Sequence, residues 1–302
     1  MMGAGRRAGR RAGTCAVAIL ASLGGCVAPP APPPPTAAAP VQVTPAPAPL
    51  TPFAWTGTLS QGGLILGIAP RGAVRVTMDD APVAVSPDGR FVVGFDRDAG
   101  PSATLVAVLR DGRTVTQPLA IALRAWSISR LSTLPKYPVP APEFARVRPG
   151  ELARIAAARQ MTTDAAGWRQ PFAWPVTGRI STRFGSQRIY KNGEAGAYHS
   201  GVDVARPTGT VVTAPADGVV ILAAGQPFTL EGNLLMLDHG MGLNSAFLHL
   251  SRIDVKSGDH VRQGQPIGAV GMTGRATGPH LHWSLRWRDA KLDPMLVAGA
   301  MR

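Results

Sequence analysis

Cysteine, aromatic side chains and helix-favouring charged residues are all scarce in this chain of 302 residues. Two cysteines, Cys15 and Cys26, are too few for a disulfide framework. Aromatic residues make up 6% of the composition, and the shortage of Glu and Lys favours β structure over helix. The 35 glycines and 29 prolines indicate many turns and a linker. The length is sufficient for about two domains.

Acidic residues are also few. The chain has 18 Asp and Glu and 31 Lys and Arg, which gives a formal net charge of +13. A basic protein is attracted to polyanions. The body of the chain has no nucleic-acid-binding motif and no run of basic residues, so nucleic acid is not a predicted partner. Anionic lipid or cell wall is favoured instead, because the N-terminus has the features of an export signal.

The apolar run at residues 14–23 is too short for a membrane-spanning helix, which needs about 20 residues. It follows an Arg- and Gly-rich stretch, and this order predicts a secretory signal peptide over residues 1–25. The signal ends in Leu23-Gly24-Gly25-Cys26, which resembles the lipobox of bacterial lipoproteins and implies lipidation of Cys26. Cleavage at another small residue, leaving a free cysteine, is the alternative. Lipidation is preferred. Cys15 would be removed with the signal peptide, which would leave Cys26 without a disulfide partner, and lipidation explains an unpaired cysteine in an exported protein.

Three segments separate this signal from the last predicted domain. Residues 26–52 are Pro- and Ala-rich and predict an extended, semi-rigid tether. Residues 53–134 alternate apolar and polar positions between turn dipeptides such as Asp88-Gly89 and Asp111-Gly112, which predicts a small immunoglobulin-like β-sandwich. Residues 135–171 are predicted to be a Pro-rich linker followed by a short helix.

The helix is predicted over residues 150–161, where Leu152, Ile155 and Ala156 recur at helical spacing. From residue 172 onward the pattern returns to strands separated by glycine turns. All six histidines lie in this C-terminal segment, 172–302: His199, His239, His249, His260, His280 and His282.

Two short motifs in this segment carry the chemistry. In an extended strand, alternate residues share a face, so His199 and Asp203 of His-Ser-Gly-Val-Asp point the same way, and so do His280 and His282. Gly201 leaves the space between the first pair open. Two imidazoles and a carboxylate are a standard ligand set for catalytic zinc. His199, Asp203, His280 and His282 are four candidates for three ligand positions, so one histidine would be free to move protons. The competing interpretation is that the histidines are purely structural.

These motifs resemble those of the lysostaphin-type, or LytM-like, zinc metallopeptidases, which hydrolyse peptide bonds in bacterial peptidoglycan. The family's His-x-Gly-x-Asp stands here as HSGVD (199–203) and its Gly-x-His-x-His as GPHLH (278–282). The segments VVTAPADGVV, LMLDHGMGLNSAFLHLS and VRQGQPIGAVGMTGRATGPHLHW also match in order and spacing. The resemblance covers about 172–297 and implies a compact, mostly antiparallel β fold with the site in a groove.

Carried over to this sequence, the resemblance implies that His199, Asp203 and His282 bind Zn²⁺ and that His249 and His280 are catalytic. It leaves open which of the two histidines acts as the base. The predicted fold is therefore mainly β: an antiparallel peptidase domain preceded by a small β-sandwich and a short helix. The predicted function is zinc-dependent cleavage of peptidoglycan cross-links. A non-catalytic or gated wall-binding activator of another hydrolase, and a structural lipoprotein tether, are the alternatives.

The predicted partners are peptidoglycan stem peptides or cross-bridges and, through Cys26, a membrane. Val27 stands where Asp would favour inner-membrane retention, so the predicted location is the outer membrane, facing the periplasm. A monomer is expected. Tyr190 and Asn192 are candidates for substrate binding, with a solvated loop as the equal alternative.

Three further expectations concern residues outside the motifs. His239 is expected to be structural, and His260, beside Asp259, to lie at the surface. Trp283 and Trp287 are expected in the core rather than as a substrate platform.

Overall fold

Strands dominate the structure, a computed structural model that describes residues 49–131 and 142–301. The predicted signal peptide and Cys26 lie outside the described residues, as do most of the Pro/Ala-rich tether and residues 132–141. Residues Ala48–Arg302 belong to one compact unit. The strands are β1 (Ala54–Gly57), β2 (Leu64–Ile68), β3 (Ala73–Met78), β4 (Ala81–Val83), β5 (Arg90–Gly94), β6 (Ser102–Leu109), β7 (Thr114–Ala120), β8 (Ile128–Arg130), β9 (Arg179–Thr182), β10 (Gln187–Ile189), β11 (Val202–Ala205), β12 (Val211–Thr213), β13 (Gly218–Ala223), β14 (Asn233–Asp238), β15 (Leu243–Leu250), β16 (Arg252–Ile253), β17 (His260–Val261), β18 (Pro266–Ala269), β19 (His280–Trp287) and β20 (Ala290–Leu292).

The first seven strands form two antiparallel sheets, in the orders β1-β2-β5 and β4-β3-β6-β7. Strand β6 shows why this segment is extended, since Ala103, Leu105, Ala107 and Leu109 are buried and the positions between them are not. The Asp111-Gly112 turn joins β6 to β7, with Gly112 at a positive φ of 83° that glycine adopts without steric cost. The predicted all-β character of this segment is confirmed.

The central element of the C-terminal half is an eight-stranded antiparallel sheet in the order β17-β13-β14-β15-β19-β11-β9, with β20 paired to β19. Its inner strands are almost continuously buried, and Leu235, Leu237, Phe247 and Trp283 are wholly inaccessible to solvent. A smaller sheet, β12-β18-β16, accompanies it. Antiparallel pairing matters for function here because it brings β11 next to β19, the strands that contain the two histidine motifs.

The predicted helix exists, but its bounds and its buried face differ from the prediction. Helix α1 runs Pro142–Gln160, so it begins eight residues early, in the stretch interpreted as linker, and it contains Pro149. Ile155 is buried as expected, together with Ala158, whereas Leu152 is 49% exposed. The helix touches the sheet along one narrow face. Residues three apart lie on the same face of a helix, as residues four apart do, so Ile155 and Ala158 can both meet the sheet.

Two shorter helical elements complete the secondary structure of the described residues. A 3₁₀ turn covers Gly167–Arg169, and α2 covers Pro294–Ala298, where the Asp293 side chain accepts from the backbone N–H of Met295 as an N-cap. None of the helices in residues 49–131 and 142–301 combines the length and apolar character that crossing a bilayer requires.

The two halves of the chain pack together through a continuous hydrophobic core. A Cβ on Gly94 of β5 would lie 2.7 Å from the end of the Leu292 side chain, so Leu292 packs directly against the backbone of β5. Arg124 forms a 2.8 Å ion pair with Asp293, which is almost fully buried. Strand β8 also pairs in parallel with β10. The upstream strands therefore contribute directly to the surface beside the histidine motifs.

Candidate metal centre and groove

Strand register brings the two histidine motifs together. Asp203 of β11 lies directly opposite His282 of β19, and residues paired across antiparallel strands present their side chains on the same face. Leu248 of β15 is the partner of His282 on its other side, so it too faces the site. His199 lies three residues before β11, so it reaches the cluster from a loop and not from the strand position that the alternation suggested.

Three side-chain atoms converge on one point. His199 Nε2 lies 3.0 Å from Asp203 Oδ1 and 3.0 Å from His282 Nδ1, and the remaining separation, His282 Nδ1 to Asp203 Oδ1, is 2.9 Å. Nδ1 of His199 lies 3.2 Å from the Arg183 carbonyl. Donation from Nδ1–H to that carbonyl leaves Nε2 with a lone pair facing the cluster.

The charge state of the cluster suits a cation. Burial raises the pKa of Asp203, but contacts with the His199 and His282 rings outweigh it and hold the pKa well below its ordinary value. Burial lowers the pKa of His282. A divalent ion that accepts a lone pair from the carboxylate and from each of the two rings accounts for three donor atoms aimed at one point. This donor set, N, N and O, is one that zinc uses in catalytic sites.

Gly201 is required by this geometry. A Cβ at Gly201 would lie 2.4 Å from the carbonyl oxygen of Trp283 and 2.8 Å from Nε2 of His282. Any side chain there would push β11 away from β19, and with it Asp203 from His282. Close backbone approach thus explains the glycine in the first motif.

His249 reaches the site through a β-bulge. Pairing shifts between Leu235↔Phe247 and Asn233↔Leu250, so β15 contains an extra residue at this point, and His249 has φ of +63°. In a regular strand the residue after Leu248 would point to the opposite face. The left-handed conformation turns His249 back, and its ring centroid lies 4.8 Å from that of His280.

His249 and His280 share a second feature, which is the tautomer that their backbone contacts select. Nδ1 of His249 lies 2.8 Å from the Thr273 carbonyl, and Nδ1 of His280 lies 2.8 Å from the Gly278 carbonyl. Each Nδ1–H therefore donates to main chain and each Nε2 keeps a lone pair. Burial also lowers the pKa of His249 to about 4, so its ring is neutral at pH 7.

His280 does not belong to the tight cluster, although it shares a strand face with His282. Its Nε2 lies 3.7 Å from Asp203 Oδ1, compared with 2.9 Å for His282 Nδ1. Among the described residues, His199, Asp203 and His282 form the group whose donor atoms lie within 4.8 Å of one another.

A groove of about 950 Å³ runs over this cluster. Upstream residues Ser127 and Ser129 form part of its wall, together with Arg188 and Tyr190 on the β10 side and Arg275 on the loop before β19. Sequence reasoning missed Ser127, Ser129 and Arg275, because no local pattern marks a residue that lines a groove through tertiary contact.

The two candidates for substrate binding differ in position. Tyr190 lines the groove. Asn192 lies outside the described groove lining and is exposed, and its Oδ1 accepts from the backbone N–H of Glu194 within a tight turn. A turn-forming role accounts for Asn192 in the way that is usual for this residue type.

The other expectations for single residues agree with the structure. His260 is exposed, and Trp283 and Trp287 are buried in the core. His239 is completely buried, with its Nδ1 2.8 Å from the Asp217 carbonyl and its Nε2 2.7 Å from the Ser245 hydroxyl. These two contacts satisfy a neutral ring, which supports the structural role.

His239 should make stability depend on pH. Burial lowers its pKa from 6.5 to about 4, so below pH 6.5 the unfolded chain takes up a proton that the folded chain refuses. The free energy of unfolding should therefore fall by about 3 kcal/mol between pH 6.5 and pH 4 from this residue alone. Urea titrations at pH 7 and pH 4.5 should show a smaller loss for His239→Gln than for the native chain. Equal losses in both proteins would refute the assignment.

A family model described as Peptidase family M23 matches residues 197–294, which contain all five residues of the site. The peptidoglycan DD-endopeptidase ShyA of Vibrio cholerae is 42% identical over 117 residues, which is 39% of this chain and 27% of that protein. The cell division protein DipM of Caulobacter vibrioides is 31% identical over 227 residues, or 68% of this chain and 35% of that protein. The chain thus spans about a quarter to a third of the length of these curated relatives.

A solved structure gives the more extensive match. A crystal structure described as peptidase M23 from Pseudomonas aeruginosa is 30% identical, with a TM-score of 0.61. The similarity covers 81% of this chain and 96% of that one, so it includes upstream strands as well as the histidine motifs. Because the sequence motifs, the antiparallel fold and this nearly complete match agree, the chain belongs to peptidase family M23.

Proposed function

We propose that this protein is a zinc-dependent endopeptidase that cleaves peptide bonds in peptidoglycan cross-links. The observation that carries the proposal is the convergence of His199, Asp203 and His282 within hydrogen-bonding distances, with the imidazoles of His249 and His280 beside them. Three ligands that leave a position open are typical of catalytic rather than structural zinc.

His199 Nε2, Asp203 Oδ1 and His282 Nδ1 would hold the metal. When bound, zinc supplies a Lewis acid that polarises a carbonyl oxygen and lowers the pKa of water towards about 7. Asp203 contributes the negative charge of the set, and the Arg183 carbonyl orients His199 by accepting its Nδ1–H. No His-Glu-x-x-His sequence occurs in the chain, so the glutamate base of that zinc-protease class is absent.

Proton transfer falls to His249 and His280. Both present an unprotonated Nε2 to the groove because their Nδ1–H groups donate to backbone carbonyls. A neutral imidazole in this position accepts a proton from the attacking water, and once charged it donates to the leaving amine. Once its Nε2 is protonated, either ring can also donate to the negative charge that develops on the carbonyl oxygen.

The groove suits a peptide that carries carboxylates. Arg188 and Arg275 line it and are both exposed. Of its two carboxylates, Glu231 is paired with Arg148 and Asp203 belongs to the metal centre. The groove therefore presents net positive charge to a ligand. The relatives named as peptidoglycan DD-endopeptidases point to the same substrate class.

The test is mass spectrometry of products from defined cross-linked muropeptides. Zinc-loaded protein should convert cross-linked dimers into monomers by hydrolysis, and chelator should stop the reaction. His280→Ala should keep the metal and lose the products. If zinc-loaded native protein and His280→Ala released the same products, or neither released any, the proposal would fail.

The main alternative is a wall-binding protein that activates another hydrolase without catalysis of its own. The complete set of site residues weighs against this alternative, because binding alone does not need three metal ligands and two oriented imidazoles. It predicts that His199→Ala leaves activation of the partner unchanged, which a reconstituted assay with the partner hydrolase would measure.

We extend the proposal to the location of the protein. Its parts are a signal peptide (1–25), an anchor at Cys26 with a tether to residue 52, a β-sandwich (53–134), a linker and helix (135–171) and a peptidase domain (172–302). The lipid on Cys26 would hold it at the outer membrane, facing the periplasm, with the tether spacing the site tens of ångströms from the bilayer.

Cys26→Ser is expected to release the protein from the membrane. Without the thiol no lipid can be attached, so the protein should move from the membrane fraction to the soluble fraction after cell lysis. Cys15→Ser, within the signal, is the matched control and should stay membrane-bound. A Cys26→Ser protein that remains in the membrane fraction would contradict the anchor.

A further inference from the structure

Helix α1 lies outside the segment that the family model matches, yet it packs beside the site. The matched segment begins at residue 197, and α1 ends at Gln160. Ile155 and Ala158 contact a second hydrophobic cluster formed by β13, β14 and β15, to which Leu248 also belongs. Leu248 pairs with His282 in the sheet, so α1 covers the sheet face that carries the metal centre.

Arg148 links this helix to the loop between β13 and β14. Its Nη1 and Nη2 donate to both carboxylate oxygens of Glu231, at 2.6 and 2.8 Å, and Nη1 also donates to Glu151 at 3.0 Å. The three side chains are only 12–15% exposed. Glu151 in turn accepts from the backbone N–H and the hydroxyl of Thr229, both at 2.6 Å. Bidentate, largely desolvated ion pairs of this kind fix geometry well.

The same loop contacts the backbone of His249. The His249 N–H donates to the Glu231 carbonyl at 2.8 Å. His249 is the left-handed residue of the bulge, and in that conformation its ring lines the groove. A non-glycine residue with positive φ persists only where its surroundings hold it. The bond to Glu231 is one such restraint, and that of Nδ1 to Thr273 is another.

We propose that Arg148 is a positioning residue for His249, acting through Glu231. Its guanidinium holds the loop so that the Glu231 carbonyl keeps His249 in the conformation that presents Nε2 to the groove. Without Arg148, the carboxylates of Glu231 and Glu151 would lie close together, poorly solvated and unpaired, and their repulsion would displace the loop. This inference rests on the proposed function, in which His249 transfers the proton, and it makes helix α1 a working part of the enzyme.

The experiment compares Arg148→Met with Arg146→Met in the full chain. Arg146 lies on the same helix and pairs with Glu143, and both of these side chains are highly exposed. Arg148→Met should lower kcat about tenfold or more with KM changed less than about twofold, because a slightly misplaced proton-transfer group costs rate rather than binding. Zinc content and the Co²⁺ absorption spectrum should not change, since the metal ligands lie elsewhere. Arg148→Lys should recover only part of the rate, because an ammonium cannot form the fork.

A second readout does not depend on activity. Amide hydrogen exchange at His249, followed by NMR, should become about tenfold faster or more in Arg148→Met and stay unchanged in Arg146→Met. Unchanged exchange and unchanged kcat in Arg148→Met would overturn the proposal, as would a rate loss that merely follows zinc loss or that Arg146→Met reproduces. If Arg148→Met does not fold, Arg148→Lys undergoes the same comparison. An inactive native enzyme would refute the proposed function, whereas the exchange data would still decide the role of Arg148.

Discussion

Asp203→Ala should lose the bound zinc and with it the hydrolysis of muropeptides. Asp203 supplies the anionic member of the ligand set, and its Oδ1 lies within 3.0 Å of both ligand nitrogens. Two neutral imidazoles left alone hold the ion far more weakly. Lewis-acid catalysis is worth several kcal/mol, so activity should fall by about a thousandfold or more. Metal content after gel filtration and the rate of product release measure the two effects.

Asp254→Ala is the matched control for Asp203→Ala. Asp254 is an exposed carboxylate on the same half of the chain, paired with Arg252 at 2.8 Å. It should keep full zinc and activity, since a surface ion pair contributes about 1 kcal/mol or less to stability. The zinc content and activity of Asp203→Asn should lie between those of Asp203→Ala and Asp254→Ala, because the amide keeps an oxygen ligand and loses the charge. An Asp203→Ala protein with stoichiometric zinc would exclude Asp203 as a ligand.

His249→Asn should differ from Asp203→Ala in one respect: it should keep its zinc although it loses catalysis. Loss of a positioned proton-transfer group costs about 10²–10⁴-fold in rate. Asparagine is the suitable replacement because it tolerates the left-handed conformation that His249 adopts, whereas alanine would add a backbone penalty of roughly 1–2 kcal/mol. The comparison of zinc content with kcat separates this variant from Asp203→Ala.

His260→Ala is the control for His249→Asn, since His260 is an exposed histidine of the same domain. It should match the native rate. If His249→Asn retained kcat within about twofold, proton transfer would have to rest on His280 alone. If it lost zinc in parallel with activity, His249 would be a ligand rather than a base. Both results contradict the role proposed for it.

Much of the site was accessible from sequence because its signals are local. His280 and His282 are two residues apart on one strand, so strand alternation places them on one face. His199 lies in the loop before β11, and the short spacing of its motif keeps it within reach of Asp203. The strands themselves were visible in the same way, through the alternation in segments such as Ala73–Thr77, which lies in β3. The mainly β fold was predicted correctly for that reason.

Other features could not be predicted because they depend on contacts between distant residues. The early start of α1 at Pro142 lies in a Pro-rich stretch that local propensity disfavours as helix, and its contact through Arg148 with the distant Glu231 is one that no local pattern shows. Leu152 has the right spacing for burial and is exposed, since the helix meets the sheet along Ile155 and Ala158. The extra residue that turns His249 back has no signature in the sequence of Leu243–Leu250.

By itself, the sequence determined which residues can act chemically: two histidines and an aspartate able to bind zinc, two more histidines able to move protons, and glycines where backbones must approach closely. Only the tertiary structure decided how these residues divide the work. The pairing of β11 with β19 joins His282 to Asp203 and leaves His280 0.8 Å farther from the carboxylate oxygen. The bulge in β15, held by Glu231 and through it by Arg148, directs His249 into the groove. The chemistry of a residue follows from its side-chain type and from short spacings, whereas its position depends on strand register and on packing between residues separated by 79 to 83 positions.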